Sequence, residues 1–331
     1  MEKRITFWDN LKFLLIIFMV IGHLAYEFTD ISKTARFLYL SIYSFHMPLF
    51  IFISGLFHKS DKFKQHILFY ISIGFSQKMF NVLLAFLFHE SIHFKLLSDG
   101  GIPWFMFVLA IYTLLAELLK DQNHTYLILA FVCLACFITY DSSINDYLYL
   151  SRTIVFFPFY LLGVICQPER CLVIKQKFFL QGKILASIFL TVILFLFYFK
   201  LNSFYPFRYL FTGRAISPEQ FNDYNPLHRL FCYGLTICMS LSIMALVPIK
   251  HLTGISHWGR KTINVLFYHW PLIKIIGHFI SFKQLYQHPI GMVSYYLIAI
   301  LISILLSQKI FDYPILWIRK QIFTTKKVIS N

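Results

Sequence analysis

The chain has 331 residues, is 58% hydrophobic and 19% aromatic, and carries only 14% charged residues, where a soluble domain of this length carries roughly a quarter. That balance excludes a soluble globular domain and implies an all-α polytopic membrane protein. The formal charge of +15, from 30 basic and 15 acidic residues, would elsewhere suggest nucleic acid. Here the basic residues sit in short loops between apolar runs, as the positive-inside rule requires, so no nucleic-acid partner is expected.

The apolar runs predict about ten transmembrane helices, near 11–28, 38–57, 67–88, 104–119, 126–140, 153–167, 183–200, 230–247, 262–280 and 290–311. Eighteen of the 30 basic residues fall on the side that holds both termini, nine on the other, and Lys12, Lys78 and Lys274 lie within spans. This bias predicts a multi-pass protein with both termini in the cytoplasm.

The first span opens as WDNLKFLLIIFMVIGH, Trp8 to His23. Its apolar run is long, holds a lysine near its start and lacks a clear cleavage site, so it is read as a retained span and not as a signal peptide. Ionisable groups inside such a run are costly unless they are paired or work in a hydrated cavity. At about 100° per residue, Lys12 and His23 stand roughly 20° apart on the helix, with Asp9 and Glu27 within roughly 60° of the same line and Asn10 pointing away. The rise sets His23 roughly 16 Å beyond Lys12, toward the outer half of the bilayer. The plainer reading is that Lys12 snorkels and His23 bonds a neighbouring helix.

Span two contains SFHMPLFIFISGLF, where His46 precedes Pro48 and Ser54-Gly55 interrupts the run. His46 sits on the same side as His23, so the pair could serve as base and orienter, since neutral imidazole accepts a proton near pH 7. Span four begins at GGIPWFMFVLAIY, with Trp104 as an interfacial anchor. Cys133 and Cys136 form a CxxC inside an apolar span without further ligands, so packing is the better reading and no metal is expected. Span six, RTIVFFPFYLLGVI, places Arg152 at its outer end, either to bind an anionic or carbonyl group or as an interfacial arginine. The connection 201–229, with three prolines and seven aromatics, either covers the mouth of a cavity, binds a polar acceptor, or simply packs on the helices. Span nine is preceded by GISHWGRKTINVLFYHWPLI. Asn264 and Tyr268, four apart, share a face and could bond each other, and His269 enters the bilayer with them. The remaining segment, 312–331, reads as a short basic cytoplasmic tail lying on the anionic leaflet.

In order and spacing, WDNLKFLLIIFMVIGH, SFHMPLFIFISGLF, PWFMFVLAIY, RTIVFFPFYLLGVI and GRKTINVLFYHWPLI resemble the acyltransferase-3 family of bacterial integral-membrane O-acyltransferases, and most closely its fucose 4-O-acetylase-like subgroup. The resemblance runs from Ile5 to about Phe311 and implies one membrane domain, 1–311. The family's first-span motif is an arginine, ten residues, then histidine; this chain has Lys12 and His23, which keeps the charge and loses the planar fork. Where the family often shows an arginine-rich motif near span three, GFSQKMFNVLLAF offers Lys78 as its only cation. Some members append an extracytoplasmic domain; with none expected here, the acyl group would reach its acceptor from the membrane domain itself or through a glycan-assembly partner protein.

The resemblance implies acetyl-CoA as the acyl-donor substrate and a sugar hydroxyl of a cell-surface polysaccharide, lipopolysaccharide or lipid-linked glycan as acceptor, in contact with membrane lipids. Catalysis would rest on His23 as general base or transient acetyl carrier, with Lys12 and Asp9 orienting it or balancing charge. Substrate binding would fall to His46, Arg152, Asn264, Tyr268 and His269. A polytopic transporter or flippase for a glycan precursor is the competing class. Against it stand the lack of repeat symmetry and the asymmetric placement of the histidines. A structural or sensory membrane protein would need no buried ionisable stripe.

Overall fold

The computed structural model describes residues 5–92, 94–96, 98, 103–138, 144, 147–214 and 224–324. Among these the fold is all helical: α1 (Thr6–Tyr26), α2 (Lys33–Tyr43), α3 (His46–Leu56), α4 (Phe63–Leu87), α5 (Trp104–Leu118), α6 (His124–Ile138), α7 (Leu150–Ile165), α8 (Pro168–Lys177) and α9 (Phe179–Phe199). There follow α10 (Leu201–Phe204), α11 (Arg208–Phe211), α12 (Pro226–Leu246), α13 (Ile255–Trp258), α14 (Thr262–Phe279), α15 (Phe282–Tyr286), α16 (Pro289–Leu306) and α17 (Ile315–Thr324).

Each of the ten apolar runs is helical. Among the described residues six helical stretches are long and apolar enough to cross a bilayer: Thr6–Tyr26, Lys33–Leu56, Ser60–Leu87, Phe179–Phe199, Pro226–Leu246 and Pro289–Leu306. A seventh, α7, bends by 82° into α8, while α5 and α6 are apolar but shorter. The apolar pattern of the ninth run, α14, is interrupted by Asn264, His269 and Lys274.

The helices group into two compact units, one built from residues 1–21, 60–114 and 251–331, the other from 22–59 and 115–250. In the first, α17 packs on α4, and α14 lies against both α4 and α16. Pro271 inside α14 cannot donate to the ladder. Nearby, the Leu266 carbonyl accepts from the buried Gln77 side chain of α4 at 3.0 Å. The described part of the segment after 311 packs within this unit: Phe323 of α17 meets the rings of His66 and Phe69.

In the second unit α7 packs on α3 and α6, and α12 on α9 and α6. The α3–α7 crossing needs glycine on both sides: a Cβ on Gly55 would overlap the Tyr160 carbonyl, and one on Gly163 the Phe52 carbonyl. Span two is broken between α2 and α3. Pro48, which has no N–H, leaves the Ser44 carbonyl without its helical donor, and Thr236 of α12 supplies one, Oγ1 to O at 2.7 Å. Beside Pro158 in α7, the Tyr233 hydroxyl donates to the Val155 carbonyl at 2.6 Å. A polar side chain of α12 thus fills the gap that Pro48 opens at the α2–α3 join.

Candidate functional site

The sequence stripe on α1 divides between the two units, and each part has its own partners. In the first unit Asp9 is buried, 2% exposed, and pairs with the Lys12 ammonium at 2.9 Å and the Arg260 guanidinium at 3.6 Å. One carboxylate facing two cations is a charge arrangement that tolerates burial. Asn10 points off the stripe, as its angle requires, and its Oδ1 accepts from the Ser256 hydroxyl of α13 at 2.6 Å. The fit is tight: a Cβ on Gly259 would overlap the Asp9 carbonyl, and Phe13 packs on the Trp258 ring.

Asn264 and Tyr268 face the same way but do not bond each other. The Asn264 amide donates to Asp312 Oδ1 at 2.8 Å, and the Tyr268 hydroxyl donates to the Tyr313 carbonyl at 2.6 Å. Lys261 pairs with the same Asp312 carboxylate. Burial pushes the Asp312 carboxyl up, but the Lys261 and Asn264 hydrogen bonds hold it below the usual range overall. These residues therefore anchor the segment after 311, because the chain following α16 turns back onto the α14 face that sequence spacing had pointed elsewhere. His269 is fully buried and its Nδ1 donates to the Val265 carbonyl of its own helix at 2.8 Å. That bond fixes the tautomer and makes Nε2 the acceptor.

Lys78 is buried, donating to the Lys95 and Leu96 carbonyls at 2.7 and 3.0 Å, with its ammonium 5.1 Å from the Phe107 ring centre. It borders a cleft of about 680 Å³ lined by Asn81, Glu90, Ser91, Trp270 and Lys274.

In the second unit His23 lies at the far end of α1, its Nδ1 3.4 Å from the Tyr43 hydroxyl. Tyr43 also stacks edge-on against His46, ring centres 4.7 Å apart. His46 is 1% exposed and its Nδ1 donates to the Ile42 carbonyl at 2.9 Å, which again makes Nε2 the acceptor. The two histidines thus share Tyr43. Tyr39 continues the aromatic wall, 4.1 Å from Tyr43 between ring centres. Arg152 is buried, 4% exposed, and so is not a snorkelling interfacial residue. It and Arg214 lie within electrostatic range of the Tyr43 hydroxyl. Glu27, the last residue of the sequence stripe, falls beyond the end of α1 and is exposed.

Three participants escaped the sequence reading. Tyr43 had a signal, since it stands three before His46, but tyrosines are common in this chain. Arg260 enters the sequence only as one of the eighteen basic residues on the side of the termini. Arg214 follows α11 in the connection 201–229, whose described parts are helical turns held by a buried Arg229 donating to the Leu210 carbonyl at 2.6 Å. Residues 215–223 of that connection lie outside the described residues.

What the arrangement offers is an imidazole with a neighbouring phenol and two guanidinium groups, set in an apolar environment suited to proton removal and to stabilising negative charge on oxygen. No curated protein and no solved structure matches the chain. Residues 5–308 match the acyltransferase-3 family, described as an acyltransferase domain. With nearly the whole helical body inside that match, the chain belongs to the acyltransferase-3 family and is a membrane O-acyltransferase.

Proposed function

We propose that the protein transfers an acetyl group from cytoplasmic acetyl-CoA to a sugar hydroxyl of a cell-surface polysaccharide or lipid-linked glycan in a bacterial inner membrane. The observation that carries this reading is the grouping of His23, Tyr43 and His46 inside a chain of this family. His23 removes the proton of the acceptor hydroxyl as its oxygen attacks the thioester carbonyl. The C–S bond breaks, the coenzyme A thiolate departs and is protonated, and the ester remains on the sugar. The two arginines favour the developing oxyanion. Asp9 and Lys12, on the same helix as His23, set the charge at its other end.

The test is mass spectrometry of surface polysaccharide from a deletion strain complemented with wild type or His23→Ala. Wild type restores one acetyl mass per repeat; His23→Ala accumulates in the membrane and does not. Wild-type acetylation from the alanine variant would sink the assignment, and loss of the whole polymer on deletion would select a flippase.

A further inference from the structure

A second site lies in the second unit, at the ends of α2 and α9. A cleft of about 560 Å³ opens there, lined by Lys33, Arg36, Tyr198 and Lys200 together with Asp30 and neighbouring backbone. The volume is that of a small-molecule site. Its cations are not equivalent. Arg36 is committed to the turn between α1 and α2, donating to the Thr29 and Asp30 carbonyls at 2.5 and 2.9 Å. Lys33 instead sits 4.4 Å over the Tyr198 ring, and neither it nor Lys200 has an ion-pair partner among the described residues. Three cations face one carboxylate, so the cleft is net positive. Its border is apolar and exposed: Ile31 at 71% and Phe199 at 61%. Two unpaired lysines beside an aromatic face, bordered by exposed apolar side chains at the end of an apolar span, form a surface where a charged headgroup lies against protein and its hydrocarbon chain lies in lipid.

We propose that this cleft binds the phosphate of a lipid headgroup in the leaflet at the α1–α2 turn, with Lys33 and Lys200 as its ligands and Tyr198 as a platform for the first sugar. The assignment deepens the proposed function by making that lipid the carrier of the acceptor glycan. The geometry suits this. Lys33 begins α2 and Tyr43, the partner of His23, ends it. Ten residues of helix separate them by roughly 15 Å. A glycan anchored by its phosphate at Lys33 would present a hydroxyl a few rings away to the imidazole, so the cleft acts as the fixed end of a ruler.

The test uses the full-length protein in detergent, with polyprenyl phosphate as the probe and native mass spectrometry as the readout. Lys33→Gln combined with Lys200→Gln is expected to weaken lipid retention about tenfold or more, through loss of two charge-assisted contacts. The double arginine variant should restore retention, which separates charge from folding, and Lys283→Gln, an exposed lysine elsewhere, should leave it unchanged. Inorganic pyrophosphate should compete only at far higher concentration than the lipid. Equal retention by wild type and the double glutamine variant would overturn the assignment. Competition by pyrophosphate at concentrations matching the lipid would overturn the lipid source. His23→Ala should bind the lipid normally, so a failure of the transferase reading shows in transfer and a failure of the cleft shows in binding.

Discussion

At the scale of single residues, the Asp9 pair is the sharpest constraint. Removing one partner from a buried ion pair costs more than the pair is worth, because the remaining charge is stranded. Lys12→Ala leaves Asp9 with Arg260 alone, at 3.6 Å, and is expected to lose most acyl transfer. Lys12→Arg keeps the cation and should retain substantial activity, since a guanidinium can reach the same carboxylate. Turnover assays on membranes with matched protein levels check both, and an alanine variant with unchanged turnover would mean that Lys12 only snorkels. The α1 stripe was legible because one helix's rotation follows from residue numbers alone. Partners on other helices were not: Arg260 reaches Asp9 across 251 positions of chain, and no periodicity encodes that. The same limit explains Asn264 and Tyr268, whose shared face was readable and whose partners after residue 311 were not.

At the scale of elements, proline sets where helices break and a polar residue on a neighbour repairs the break. Thr236→Val would leave the Ser44 carbonyl unpaired at the α2–α3 join. It should cost about 1 kcal/mol, a typical value for an interhelical hydrogen bond in a membrane, and loosen the helix that carries His46. A lowered midpoint in a thermal-shift assay, with partial loss of transfer, would be the signature. A different element end carries a pH response. His58, just past α3, has Nδ1 3.0 Å from the Tyr160 hydroxyl and Nε2 3.9 Å from Glu117, itself paired with Lys120. Burial pushes the His58 imidazole down, and the Glu117 charge only partly offsets this. The folded chain therefore takes up this proton less readily than the unfolded one. Stability from the neutral ring is complete above the usual histidine value of about 6.5 and declines as pH falls below it. Between pH 7.5 and 5.5 the midpoint of wild type should drop more than that of His58→Gln; equal drops would assign the acid limb to other groups. Pro48 announced the α2–α3 break in the sequence, but the donor that fills it comes from α12, whose pattern reads only as another apolar span.

For the whole molecule, the ten apolar runs were visible because hydropathy needs no tertiary information, and each is helical over its described residues, the second as two helices. Which of them are long enough to cross was less visible, since α5 and α6 are described over 15 residues each and α7 turns sharply into α8. Orientation is the property on which the mechanism depends, and it rests on the eighteen-to-nine division of basic residues about an even number of spans. If both termini are cytoplasmic, His23 and the Lys33–Lys200 cleft lie toward the outer face, where a translocated acceptor waits. Exposed positions make this measurable. In a chain with its six cysteines replaced by alanine, Asn202→Cys should react with a membrane-impermeant thiol reagent in cells whose outer barrier admits it. Asp61→Cys, in the connection between α3 and α4, should react only after the membrane is opened. Both sites are exposed in the fold, so a failure to label reports sidedness and not burial. The opposite pattern would put His23 and His46 on the coenzyme A side, and acyl transfer would then have to take a cytoplasmic acceptor.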